Sequence, residues 1–483
     1  MNTLPSQHFL PSQETATTNG TAAGPGRPEA PRGSRLPRRS RLPGRFARLP
    51  ELAGPGFLPI ALFARLPLAM LTVGALTLAT AVSDSYAIGG LAAGAVGIGS
   101  ALGAPVLGAL ADRAGQRTVL LVAAGINTLA VVALIFAAYL TPSFGTAAGP
   151  AAVAITAFLS GASCPQVGPM ARVRWMALTT LGLAGMEAGA GRAPASLATR
   201  RAELDTALSY EGTADEFTFV LGPALVGLLA SLFVPWLPLA CAAVLTATLV
   251  PAFAVHPSHL AVVPARRKAE ADVGHQPTAK PAPRAGVLAW LKVLVAVLAM
   301  VCMGTFFGSL QNALSAFSAQ FATAEIAGLM YAAMGLSSAV AALSVAYWPR
   351  RFGLAARWIS AAVLMAALSL LLFLPAGIWP MVAVLLVLGV PVGPVMVTVF
   401  SIGGLVAPAG RMATVMTALA SGIVAGTALG AFLAGQMAQN QGFTAAFAVS
   451  LASAAALAVL GVLAGALLRR GKAAQADGAA PGA

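Results

Sequence analysis

Between residues 57 and 468 the chain alternates long apolar runs with short polar breaks. Twelve runs are long enough to cross a bilayer as helices, which takes about 20 apolar residues. They fall near 57–82, 86–107, 118–140, 149–171, 206–232, 235–254, 288–311, 326–347, 357–375, 379–402, 411–434 and 443–467. A shorter run at 175–186 predicts an interfacial helix within a long polar segment, 172–205. Counting it as a span would put everything after it the wrong way up. The pattern predicts an all-α polytopic membrane protein. Residues 1–56 form a tail, 57–254 six spans, 255–287 a linker, 288–468 six more spans, and 469–483 a second tail.

Charge supports that count. With the N-terminus inside, the inner turns hold Arg113, Arg117, Arg172, Arg174, Arg200, Arg201, Arg266, Arg267, Lys268, Arg350, Arg351, Arg357 and Arg411. The outer turns hold only acids such as Asp84 and Glu325. Lys and Arg concentrate in cytoplasmic loops, so both termini and the linker belong on the cytoplasmic side of an inner membrane. Hydrophobic residues make up 58% of the chain and charged residues 9%, against about 45–50% and about 25% in soluble domains. A formal net charge of +14 suggests nucleic acid in a soluble protein. Here the cations sit in tails and inner loops, without interleaved aromatic residues, which argues against nucleic acid. Residues 1–56 are rich in Pro, Gly, Ser and Thr, with arginines from Arg27 to Arg48. They predict a disordered tail, which is either an inert start or an arm on anionic lipid.

The two sets of six spans echo each other. Residues 99–115 align with 337–353, and Val167-Gly168-Pro169 in the fourth span has a counterpart in Val392-Gly393-Pro394 of the tenth. Such pairs mark duplicated transporter folds, whose substrate sites lie near the midplane between repeats.

The turn between the second and third spans carries the clearest motif, with Gly108, Leu110, Asp112, Arg113, Gly115 and Arg117 in GALADRAGQR. This resembles the loop signature of the major facilitator superfamily, Gly-x-Leu-x-Asp-Arg-x-Gly-Arg-basic. Gln116 departs from it, where the family usually has a cation. The resemblance implies a secondary transporter in which one six-helix half rocks against the other. It also implies that Asp112 meets the N-terminus of the eleventh helix, near Arg411 and Met412, when the cavity faces outward. Arg113 is expected to reach acids on the same face, with Glu211 one candidate. In the fifth span Gly222-Pro223 and Gly227 partly resemble the Gly-Pro motif of drug–proton antiporters, without its further glycines. Gly422, Gly426 and Gly430, four apart, predict a smooth packing face on the eleventh span.

A charge inside a span costs about 2.5–3.5 kcal/mol on insertion scales and is functional by default. Arg65 lies about two turns into the first span, and Glu211, Asp215 and Glu216 lie in the first turns of the fifth. Glu211 and Asp215 share a helical face, and Glu216 points about 100° away from Asp215. Arg65 is expected to pair with one of these acids, which takes and releases a coupling proton as the pair separates. The alternative is a static ion pair. Gln166 beside Pro165 and Pro169, and Gln311 with Asn312 at the end of the seventh span, are polar candidates for the cavity. Phe306 and Phe307 make its wall apolar.

Enzyme readings find little support. All four histidines lie outside the spans, no GxxxxGK[ST] phosphate loop exists, and Cys164, Cys241 and Cys302 are too far apart for metal or redox chemistry. No cofactor is expected. The leading reading is proton-coupled export of small amphipathic or hydrophobic molecules. The alternatives are nutrient uptake by the same fold, and a transport-inactive membrane sensor or scaffold.

Overall fold

The computed structural model describes residues 44–141, 148–184, 197–264, 286–321, 326–349 and 351–477. The arginines of 27–43, the linker cations Arg266, Arg267 and Lys268, and Arg350 and Glu325 lie outside them. Among the described residues there are twelve helices long and apolar enough to cross a membrane, and no strand. In order they are Phe57–Ser83, Ile88–Ala114, Gln116–Leu140, Gly149–Thr179, Thr199–Leu232, Leu237–Val255, Val287–Phe321, Ala327–Tyr347, Leu354–Phe373, Ile378–Val406, Met412–Gln441 and Phe443–Leu468. We call these spans 1 to 12; spans 1–6 form the first half and spans 7–12 the second.

Several ends differ from the hydropathy reading. Span 2 stays helical through Ala114 and span 3 starts at Gln116, so Gly115 alone turns the chain, at φ +94°. That backbone region is open to glycine and strained for other residues. Span 7 runs to Phe321, three turns beyond Gln311. The last helix continues to Asp477, into the predicted C-terminal tail. Within the predicted N-terminal tail, Arg45–Arg48 and Leu49–Ala53 are short helices, and Leu49 and Ala53 are buried. Arg45 donates to the Ala346 carbonyl at the end of span 8, and Arg48 pairs with Glu203 of span 5. This segment therefore touches both halves.

Two spans are broken by proline. In span 1, helices Phe57–Phe63 and Leu66–Ser83 meet at Ala64-Arg65. Pro67 has no N–H to give the Phe63 carbonyl, and the helix kinks there. In span 4, helix Ala148–Ala162 stops and helix Val167–Ala184 begins after Ser163–Gln166. Pro165 cannot donate to Gly161, so the Cys164 N–H turns back to that carbonyl at 3.2 Å. The Ser160 carbonyl loses its helical donor and receives Asn127 Nδ2 from span 3 at 2.6 Å. The break is thus closed by side chains, as a bilayer demands. The expected interfacial helix at 175–186 is, over its described part, the second piece of this span. Trp175 is fully buried in it. Arg172 and Arg174 ended the apolar run, but both side chains lie inside the bundle.

Between helices in lipid the hydrophobic effect is weak, and small residues that let backbones approach take over. In the first half, a Cβ on Gly99 or Gly103 of span 2 would lie 2.2 Å or 2.0 Å from the carbonyl oxygens of Phe158 and Ala162 in span 4. Gly161 of span 4 packs in turn on the Val96 carbonyl of span 2, and at the equivalent crossing in the second half Gly389 and Gly393 of span 10 lie against Met334 and Ser338 of span 8. Gly426 and Gly430 of span 11 meet the carbonyls of Val301 and Thr305 in span 7, and Gly222 meets Ala69 of span 1. Gly227 faces no atom within 4 Å.

Candidate functional site

Among the described residues the two halves are joined by hydrogen bonds and by an ion pair, Arg357 with Asp205 at 3.8 Å. A cluster of these hydrogen bonds is at Asp112. Its Oδ1 accepts the Ala413 N–H at 2.9 Å, and its Oδ2 accepts the Thr414 N–H at 2.8 Å and the Thr414 hydroxyl at 2.6 Å. Helix Met412–Gln441 starts there, so the carboxylate occupies a helix N-terminus, where anions are favoured. One turn back, a Cβ on Gly108 would lie 2.0 Å from Thr417 Oγ1 and 2.7 Å from the Ala413 carbonyl oxygen. Arg113 and Arg117 are exposed and form no ion pair among the described residues. The expected reach of Arg113 to Glu211 does not occur, because that carboxylate is buried and engaged elsewhere.

The departure at Gln116 has a local cause. Its Oε1 accepts Arg174 Nε at 2.9 Å, and its amide faces the Met170 carbonyl at 3.4 Å. A cation at this position would face a buried guanidinium. Arg174 also donates to the Phe253 carbonyl and the Ser258 hydroxyl, and lies over the Phe253 ring at 3.9 Å.

Deeper in the first half, four charges form a closed set. Arg65, at the kink of span 1, donates to the Glu211 carboxylate and to Asp215 Oδ1 at 3.0 Å. Arg172, below the break of span 4, donates to Asp215 Oδ2 at 2.5 Å and lies 3.8 Å above the Phe400 ring of span 10. Trp175 Nε1 donates to the other Glu211 oxygen at 2.7 Å. Two guanidinium groups thus meet two carboxylates, and every carboxylate oxygen has a donor. Glu211 is 0% exposed and Asp215 14%. Gly168 forms one wall: a Cβ there would lie 3.3 Å from Asp215 Oδ1 and 3.6 Å from both guanidinium groups. Sequence reasoning missed Arg172, although apolar residues do continue past Pro169 at helical spacing.

Glu216 does not join this set. It points to the second half, where its Oε1 accepts the Ser338 hydroxyl of span 8 at 2.9 Å. The same face of span 5 carries Gly212 against Val397, Thr213 donating to the Ala339 carbonyl at 3.1 Å, and Val220 against Gly335.

The expected cavity residues scatter. Gln166 is buried and donates to the Cys164 carbonyl within its own break. Phe306 and Phe307 are buried, with Phe307 edge-on to Tyr331, so they pack the second half instead of lining an open wall. Gln311 is exposed, and Asn312 beside it is half-buried and donates to the Gly308 carbonyl. A groove of about 520 Å³ opens where spans 2 and 4 splay past Gly94, but it is apolar and remote from the charges.

A family model for the Major Facilitator Superfamily matches residues 57–421. The chain belongs to the major facilitator superfamily. Solved structures of similar fold include the human organic anion transporter MFSD10, at 18% identity and a TM-score of 0.59, covering 84% of this chain and 98% of that one. A bacterial homologue of the iron transporter ferroportin, in an outward-facing state with soaked iron, follows at 16% identity and a TM-score of 0.58, covering 85% and 98%. The E. coli fucose:proton symporter FucP has 14% identity and a TM-score of 0.53, covering 84% and 98%. At these identities the likeness is one of fold. Curated proteins yield no match. The chain is a multi-pass membrane protein of a transporter family, and family and fold point to transport of a small molecule across a bilayer, not to an enzyme.

Proposed function

We propose that this protein is a proton-coupled exporter of small amphipathic or hydrophobic molecules, working by alternating access. The observation that carries this reading is the set of buried acids on span 5, which lies where the two halves meet. Buried charge in a membrane is costly and is kept for ion pathways and relays. The face with the Asp112 turn is cytoplasmic, as the exposed arginines on it suggest, and the membrane is the inner one. Both termini are cytoplasmic, and arginines upstream of Arg45 contact anionic lipid. Asp112 holds the cytoplasmic side shut by its bonds to the N-terminus of span 11, and Gly108 lets the two helices come close enough. An acid of span 5 carries the coupling proton, and Gln311 and Asn312 are the polar substrate contacts.

Everted vesicles test this reading. A panel of lipophilic fluorescent compounds is added to vesicles acidified inside, with interior pH followed by a dye. Saturable accumulation accompanied by proton release is the expected result. Accumulation that ignores the pH gradient overturns the proton coupling. A deletion strain with unchanged sensitivity across a broad toxic panel overturns export.

A further inference from the structure

We infer that Glu216 is the acid that takes and releases the coupling proton, and that Arg65, Glu211, Asp215 and Arg172 form a fixed clamp. This rests on the proton-coupled reading above and names its acid.

The clamp's two acids are fully paired, while Arg65 Nε and Arg172 Nε lack a hydrogen-bond partner among the described residues. The two cations and two anions balance, and each oxygen of Glu211 and Asp215 accepts a hydrogen bond from Arg65, Arg172 or Trp175. Protonating either acid would remove an acceptor and leave a buried guanidinium uncompensated, which costs several kcal/mol. A cluster of this kind resists cycling through a proton.

Glu216 has the opposite environment. It is 6% exposed, and its hydrogen-bond partner is a neutral hydroxyl, Ser338 of span 8. Among the described residues no Lys, Arg or His forms an ion pair with it. The titratable groups near it are Asp215, which is turned to the clamp, and Tyr331 of span 8. Loading a proton here orphans no cation. A neutral carboxyl can be buried on hydrogen bonds alone, whereas a lone carboxylate in a membrane needs water or a counter-charge.

Position supplies the coupling. Glu216 lies on the seam between span 5 and spans 8 and 10, where Thr213, Glu216 and Val220 meet Ala339, Ser338 and Gly335 of span 8, and Gly212 meets Val397 of span 10. Span 5 belongs to one half, and these partners belong to the other. The seam closes on the protonated carboxyl. When the halves part on the cytoplasmic side, the bond to Ser338 breaks and water reaches Glu216. One proton, taken from the outer aqueous phase while the seam is shut, then leaves to the cytoplasm. The O–H of the carboxyl is the one covalent bond made and broken.

The experiment follows the seam directly and needs no substrate. Cys164, Cys241 and Cys302 are replaced by alanine, and spin labels are attached through Arg117→Cys and Ala356→Cys, at the starts of spans 3 and 9. Distance distributions are measured for the full chain in nanodiscs between about pH 5 and about pH 8. The expected result is a ratio of closed to open populations that falls about tenfold or more as pH rises. In Glu216→Gln, which keeps an oxygen for Ser338, the ratio should stay at its low-pH value throughout. Asp112→Asn should shift the ratio yet keep its pH dependence. A pH step that survives in Glu216→Gln overturns the inference, and its loss in Asp215→Asn instead would move the role to the clamp while proton coupling stands. If the wild-type ratio does not respond to pH, the inference falls. The vesicle assay above then reports separately whether transport is proton-driven.

Discussion

Asp215 and Glu216 are neighbours in sequence, yet their surroundings differ completely. Asp215 bridges two guanidinium groups within the first half, and Glu216 meets one hydroxyl across the gap between halves. A helix turns 100° per residue, so one step along span 5 carries a carboxyl from a charge-balanced interior to a moving boundary. The comparison teaches that an acid's burial says little about its task. What matters is whether its partner belongs to the same rigid body and whether that partner carries a compensating charge. Asp112 is a third case: its partners are in the other half, but they are two helix-terminal N–H groups and the Thr414 hydroxyl.

The largest expected effect comes from unbalancing the clamp. Removing one member of a buried ion pair costs about 3–5 kcal/mol, so Arg172→Gln should sharply lower the melting temperature of the purified protein. Adding Asp215→Asn should recover most of that loss, because charge is rebalanced and coupled sites do not add. Glu216→Gln should cost about 1 kcal/mol or less, being a swap of one acceptor for another. Equal destabilisation by Arg172→Gln and Glu216→Gln would erase the contrast between the two acids.

Next is the latch at the turn. Asp112→Asn removes the charge that faces the N-terminus of span 11. A loss near 1.4 kcal/mol would change the ratio of states about tenfold toward the cytoplasm-open form. Val397→Cys, buried against Gly212 when the seam is shut, should then react faster with an impermeant maleimide from that side, while transport falls. Unchanged labelling with transport intact would reduce Asp112 to a turn-shaping residue.

A smaller effect concerns the signature's missing cation. Gln116→Lys restores it, but the ammonium would replace an oxygen that accepts from buried Arg174. A loss of about 1–3 kcal/mol is expected from the unsatisfied donor, readable as a lower melting temperature. Stability equal to wild type would show that Arg174 readily finds another acceptor. The smallest effect is at the clamp wall, where Gly168→Ala sets a methyl 3.3 Å from Asp215 Oδ1. The neighbour needs to give by only a few tenths of an ångström. Destabilisation below about 1 kcal/mol is expected in thermal unfolding, within the common range for single substitutions.

Hydropathy and helical spacing are local properties, and the amino-acid order alone determines them. Twelve apolar runs predict twelve spans because a bilayer tolerates little else. The fourfold spacing of Gly422, Gly426 and Gly430 marks one face of span 11, and the five-residue step from Glu211 to Glu216 marks two faces of span 5. What those faces meet depends on how each helix is rotated and tilted in the bundle, and neither quantity is encoded in any one segment. Arg172 and Arg174 illustrate this most clearly. In the linear pattern they end an apolar run and look like loop cations; in the bundle, span 4 breaks at Pro165 and resumes at Val167. Asp215 of span 5 and Gln116 of span 3 then meet them inside the bundle. Burial of a cation is decided by a partner distant in sequence, so only the tertiary structure could assign Arg172 to the clamp and leave Glu216 outside it.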